Sequence, residues 1–288
     1  MTAIEDSDAC ANCGTSLHGE WCHVCGQKRL EPGDRSLSHL LLDWWQQLTS
    51  LEGRWWQSFR DLVLRPGALS DAYLKGQRKR YLAPLTLFLL INVLYFVRAP
   101  MTDFNLSLLD QACLQPWSAL VHKQVSARIA PETVACNGPM RDADLPRWGG
   151  LLARYQDIAD EVSRSMVIAH VPVIALFLGL LAGWRRWYYA EHVIVALHLF
   201  AFFLLYAVAI LPLVLWLAGS LLPLGEFGVL LRVLLLLLLL AHWTLAVRRV
   251  YGLGLLRTLL ALPLLFLALG ISHFAYRFVQ FWIVWLQV

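Results

Sequence analysis

Apolar residues follow two different patterns along this chain. Before residue 82 they recur at three- and four-residue steps, and after it they form long runs. Five runs stand out, at 82–97, 166–183, 190–217, 228–247 and 258–288. A hydrocarbon core of about 30 Å is crossed by about 20 helical residues. The first run is short and needs flanking residues to complete it, whereas the third and fifth are long enough to tilt or extend past the bilayer. Pro212 is placed to kink the third helix, and Pro263 falls near the start of the fifth. The unbroken leucine tract at 234–240 reads as a lipid-facing surface.

Ahead of the runs, Leu37, Leu40, Leu41, Trp44, Leu48, Leu51, Trp55, Phe59 and Leu62 mark one apolar helical face, with Ser36 as its N-cap. Trp44, Trp45, Trp55 and Trp56 cluster there, and indole favours the headgroup boundary. This neck reads as one or two helices lying along the inner leaflet, with packing under the bundle as the competing arrangement. Pro66-Gly67 breaks it, a short helix follows at 70–75, and Gly76 stops that helix. Arg78-Lys79-Arg80 comes next, where anionic lipid heads would lie.

Composition agrees with an integral membrane protein carrying a small soluble head. The chain has 288 residues, 58% of them hydrophobic and only 15% charged, with a net charge of +4; mean hydropathy is +0.56. The placement of charge matters more than its sum. Arg78-Lys79-Arg80 precede the first run, Arg185-Arg186 follow the second, and Arg248, Arg249 and Arg257 lie between the fourth and fifth. With five spans all three groups fall on one side, which the positive-inside rule makes cytoplasmic. The N-terminus is then inside and the C-terminus outside, in a bacterial inner membrane. The first eight residues are acidic and polar, so the first run is expected to serve as the insertion signal.

Cysteine spacing carries the clearest chemistry. Cys10-x-x-Cys13-Gly14 and Cys22-x-x-Cys25-Gly26 form two knuckles about eight residues apart. Four thiolates on two such turns close a tetrahedral metal site and leave no position open for substrate. Zinc is the expected ion, with iron in a rubredoxin-like site as the alternative. His18 and His23 read as surface residues. The remaining cysteines, Cys113 and Cys136, both fall in the outer segment 98–165 and are expected to form a disulfide there.

Several stretches resemble an uncharacterised family of bacterial membrane proteins, a domain-of-unknown-function family. They are Cys22-His23-Val24-Cys25-Gly26-Gln27, Arg65-Pro66-Gly67, Tyr73 through Pro84, and Tyr189-Ala190-Glu191-His192-Val193. Members often have lysine where this chain has Gln77. The resemblance implies a zinc ribbon, a neck and a small bundle of spans, and it brings no activity.

Ionisable groups at membrane depth are functional candidates. They sort into an inner layer of Glu191, His192, His198 and His242, and an outer one of His170, Arg232, His273 and Arg277. The inner set could serve as a proton relay or divalent-metal site, or as interfacial and inter-helix contacts. No Gly-x-Ser-x-Gly, P-loop or His-Glu-x-x-His is present.

The expected fold is an all-α integral membrane bundle of about five transmembrane helices with a small N-terminal zinc ribbon. Its parts are a ribbon at 1–30, an amphipathic neck at 31–81, a first span at 82–97, an outer segment at 98–165 and a four-helix region at 166–288. The expected role is an adaptor or scaffold that binds a protein partner or the lipids of the inner leaflet. The alternative is a small transporter, lipid-handling protein or ion pathway using Glu191, His198 and His242 inside with His170, His273 and Arg277 outside; a membrane-embedded enzyme ranks third. No nucleic-acid partner is expected. Convergence of Glu191, His198 and His242 on one cavity would favour transport, and separate packed side chains the scaffold.

Overall fold

A computed structural model describes residues 9–29, 54–98, 104–128, 145–183, 186–221 and 225–288. Among them the regular structure is helical, with no strands beyond two isolated bridges. Four helices are long and apolar enough to cross a membrane: Gly150–Ala182, Tyr189–Ser220, Gly228–Tyr251 and Leu256–Trp285. The first expected span is a shorter apolar helix, Pro84–Val97. Most of the expected neck face, Ser36 to Leu51 with Trp44 and Trp45, lies outside the described residues, as does Cys136.

Contacts group the chain into two compact units, Met1–Arg98 with Val171–Leu269, and Ala99–His170 with Gly270–Val288. The first unit holds the two knuckles and the neck helices α1 (Trp55–Leu64) and α2 (Ala68–Leu74). It also holds α3 (Pro84–Arg98), α8 (Tyr189–Leu205), α9 (Leu211–Leu221) and α10 (Gly225–Tyr251). Its axis is α8, which is buried on nearly every side, as a helix apolar all round should be. The helix α3 runs along it, with Phe88 stacked on Phe200 at 6.0 Å. By contrast α10 exposes Leu230, Leu234, Leu237 and Leu238, the surface hydrocarbon would cover.

Pro212 has a visible effect. A proline cannot donate to the carbonyl four residues back, and its ring crowds that carbonyl. The turn before it, Tyr206–Ile210, widens into a π-helix in which the Leu211 N–H donates to the Tyr206 carbonyl. Pro263 sits inside α11 (Leu255–Trp285).

The neck does not lie free of the spans. Five of the seven residues of α2 are buried, and α2 packs against α8 and α10. Its start and stop follow from glycine. Gly67 precedes it at φ +73° and Gly76 follows it at φ +90°. The Gly76 N–H bonds the Tyr73 carbonyl and the Gln77 N–H that of Ala72, the paired closure of a Schellman motif.

The second unit contains α4 (Leu108–Cys113), α5 (Ser118–Arg128), α6 (Leu145–Met166) and the end of α11. Its core joins Leu108, Val121, Val125, Tyr155 and Ala159 to Phe281, Val284 and Trp285. Arg128 lies over the Trp285 ring at 4.3 Å, a cation–π contact. A 3₁₀ turn, Val167–Ala169, links α6 to α7 (His170–Ala182), so the boundary expected near 165 falls within a nearly continuous helix. Cys113 is disulfide-bonded, whereas the four N-terminal cysteines are free thiols.

Candidate metal centre and its seat on the neck

Each Cys-x-x-Cys-Gly folds into the same turn. The Cys10 N–H donates to the Thr15 carbonyl at 2.7 Å and Cys22 N–H to Gln27 at 2.9 Å. Gly14 and Gly26 return 2.8 Å bonds to the carbonyls of Cys10 and Cys22. Both glycines have positive φ, 77° and 68°, which closes the turn without Cβ strain. Single antiparallel bridges, Ala9 with Ser16 and Trp21 with Lys28, complete the pair.

These turns bring Cys10, Cys13, Cys22 and Cys25 together, with all four sulfurs within 4.8 Å of one another. Cys10 and Cys25 are 3.6 Å apart and Cys13 and Cys22 3.5 Å. A tetrahedron with metal–sulfur bonds of about 2.3 Å has edges of about 3.8 Å, so the spacing fits one central ion. Hydrogen bonds from the Thr15 hydroxyl, then from its backbone, hold the Cys13 thiol down at about 6. Burial pushes Cys25 up to about 11. The four cysteines can therefore hold one metal ion. His18 and His23 are exposed and stand outside the set.

The centre does not hang free. Gln27, one residue past the second knuckle, is buried and reaches the loop after α2. Its Nε2 donates to the Gly76 carbonyl at 2.6 Å, and its Oε1 accepts from the Arg78 N–H at 3.1 Å. That loop carries Arg78, Lys79 and Arg80, of which Lys79 and Arg80 are exposed. Arg78 and Arg80 lie over Tyr73 and Tyr81, at 5.4 and 5.3 Å from the ring centres. Beyond the loop, Tyr81 donates to Asp61 Oδ2 at 2.8 Å, and the Leu82 N–H to Ser58 Oγ at 2.9 Å. Asp61 is fully buried, with Arg60 at 2.9 Å and Arg65 at 3.7 Å. Burial alone would raise its pKa, but the Tyr81 hydroxyl and the two guanidiniums outweigh it and hold the carboxyl below its ordinary value.

Two of the histidines expected at membrane depth, His198 and His242, hold the neck. His198 Nδ1 meets Ser70 Oγ at 2.9 Å, and His242 Nε2 meets the Leu62 carbonyl at 2.9 Å, so that nitrogen carries the proton. His242 also stacks on Phe202, with ring centres 3.5 Å apart. His198 and His242 line one small cavity with Arg65, Ser70 and Ala246, with room for about one water molecule. His192 lies apart and bonds the Tyr251 hydroxyl at 2.8 Å. Glu191 does not join the cavity: its carboxylate accepts the Tyr188 N–H at 2.9 Å and caps α8. In the second unit, His170 and His273 come together at 3.5 Å between Nε2 and Nδ1.

Sequence reasoning passed over Asp61, Ser58, Ser70 and the side chain of Gln27. Only Gln27 had a signal, its place after Cys-x-x-Cys-Gly.

The fold and the site define a helical membrane protein with a four-cysteine set able to hold a metal. The family described as Protein of unknown function (DUF3667) matches residues 52–96, which cover α1, α2 and nearly all of α3. No curated protein and no solved structure matches the chain.

Proposed function

We propose that this chain is a membrane scaffold that carries structural zinc on Cys10, Cys13, Cys22 and Cys25 and presents a basic loop to anionic lipid. In this reading the membrane is a bacterial inner membrane, and the ribbon and neck face the cytoplasm. The observation that supports it best is the Gln27 amide bridging the ribbon to Gly76 and Arg78. It ties the metal centre to the loop bearing Lys79 and Arg80. The headgroup side of the bilayer is where such a loop gains about 1 kcal/mol per charge. Exposed Trp21 and Val24 on the ribbon leave a face for a protein partner.

Support for transport is thinner. His198 and His242 share a cavity, yet each uses a ring nitrogen to hold the neck, and Glu191 caps α8 and does not line that cavity. Lipid retention can test the scaffold reading. Purified protein in nanodiscs should hold one zinc per chain and enrich phosphatidylglycerol over phosphatidylcholine, and the double variant Lys79→Ala/Arg80→Ala should lose that enrichment. Equal retention of both lipids by wild type and variant would refute it.

A further inference from the structure

We propose that occupancy of the four-cysteine centre sets the conformation of the basic loop 76–80, so that metal binding latches the loop and metal loss releases it. This rests on the reading of the loop as a lipid-facing surface and adds its regulation.

The argument begins with how little else holds the ribbon. Its described part has two isolated bridges and no strand or helix, and Cys10 and Cys22 are among its few buried side chains. A fragment that small builds no apolar core of its own, so its fold depends on metal ligation. Gln27 belongs to that fold. Its carbonyl accepts the Cys22 N–H, so the turn that offers Cys22 and Cys25 also places the Gln27 side chain. One amide then makes two bonds to the loop, as donor to Gly76 and acceptor from Arg78, which fixes its orientation as well as its position. The Gly76 and Gln77 N–H groups already close α2 on the Tyr73 and Ala72 carbonyls, and the Arg78 N–H is shared between Gln27 and the Gly76 carbonyl at 2.9 Å, so Arg78 is the loop amide that Gln27 holds.

The far end of the loop is held differently. Tyr81 and Leu82 are pinned to Asp61 and Ser58 of α1, and no ribbon residue takes part. The loop is therefore held at Arg78 by a pin that depends on metal, and elsewhere by bonds within the neck that do not, among them Arg54 to the Lys79 carbonyl at 3.2 Å. Removing the metal should loosen the loop at Arg78 and leave 81–82 in place, shifting how Lys79 and Arg80 are presented.

Hydrogen exchange on the full-length protein in nanodiscs, read by mass spectrometry with overlapping peptides, separates the two pins. Stripping zinc with a chelator should speed exchange within 76–78, at the Arg78 amide, by about tenfold or more and leave the Leu82 amide unchanged. Gln27→Ala should keep one zinc per chain yet show the same fast exchange at 76–78 with metal bound. Unchanged exchange at 76–78 after stripping, or in Gln27→Ala, would overturn the latch, as would stripping that also released Leu82. Phosphatidylglycerol retention by the same samples separates this inference from the reading beneath it. Loosening at 76–78 without any dependence of lipid retention on Lys79 and Arg80 would keep the latch and discard the lipid surface. Retention that needs Lys79 and Arg80, with 76–78 indifferent to metal, would do the reverse.

Discussion

Gly67→Ala is the sharpest test of how the neck is seated. Gly67 has φ +73°, and a Cβ placed there would lie 2.7 Å from the Ala246 carbonyl oxygen and 2.9 Å from its Cα. Two costs follow. Holding an L-residue in the left-handed region costs about 1–2 kcal/mol. Forcing a methyl against backbone that cannot rotate away adds about 1–3 kcal/mol of overpacking. Gly252 supplies the control, because its φ is +62° and nothing lies within 4 Å of its would-be Cβ. Gly252→Ala should therefore show the first cost alone. Reversible unfolding of both variants in mixed detergent micelles, titrated with a denaturing detergent and read by tryptophan fluorescence, gives the two free energies. Gly67→Ala should be the less stable by about 1–3 kcal/mol, which is about five- to 150-fold in the unfolding constant. Equal stabilities would mean that the junction of α1 and α2 is not packed on α10, and the seat described above would be wrong.

Two further outcomes follow from the same region. Ser70→Ala and His198→Ala should each cost about 1–3 kcal/mol by stranding a buried polar partner, and a double-mutant cycle should return a coupling of about 1 kcal/mol; strict additivity would refute the contact. Stability should also fall at both pH extremes through the Asp61–Tyr81 pair. Asp61 has a depressed folded pKa, so its contribution is present above its ordinary value of 3.8 and fades as pH drops through the lower folded value. Burial, then the bond to Asp61, raises Tyr81, so its contribution holds below about 10 and fades as pH climbs through the folded value. Unfolding titrations across pH should find the acid limb flattened in Asp61→Asn and the alkaline limb flattened in Tyr81→Phe.

Much of the architecture was legible because it depends on short-range chemistry. Cys-x-x-Cys-Gly dictates its own turn, Pro66-Gly67 and Gly76 end helices by backbone geometry, and Pro212 disturbs the turn before it whatever surrounds it. The structure joins His198 and His242 to the neck and His170 to His273. Long-range polar pairing was not legible. Asp61 is buried on its helix, and the Tyr81 hydroxyl, twenty residues on, joins Arg60 and Arg65 in making that burial tolerable. His242 bonds a backbone carbonyl, a partner with no side-chain identity to read. Glu191 stands in the first turn of α8 and caps it through the Tyr188 N–H, a backbone partner that the apolar run after it does not announce.

The widened turn at Tyr206–Ile210 has a wider reach than the proline it accommodates. One extra residue in a helical turn advances the phase of everything after it by about 100°. The stretch before it is enclosed by protein, whereas Leu213 and Trp216 beyond it face outward. A single uninterrupted helix would carry one stripe straight through the bilayer. Here the second half is turned by one fixed step against the first, so the face that packs in the enclosed half does not run on along the outward half.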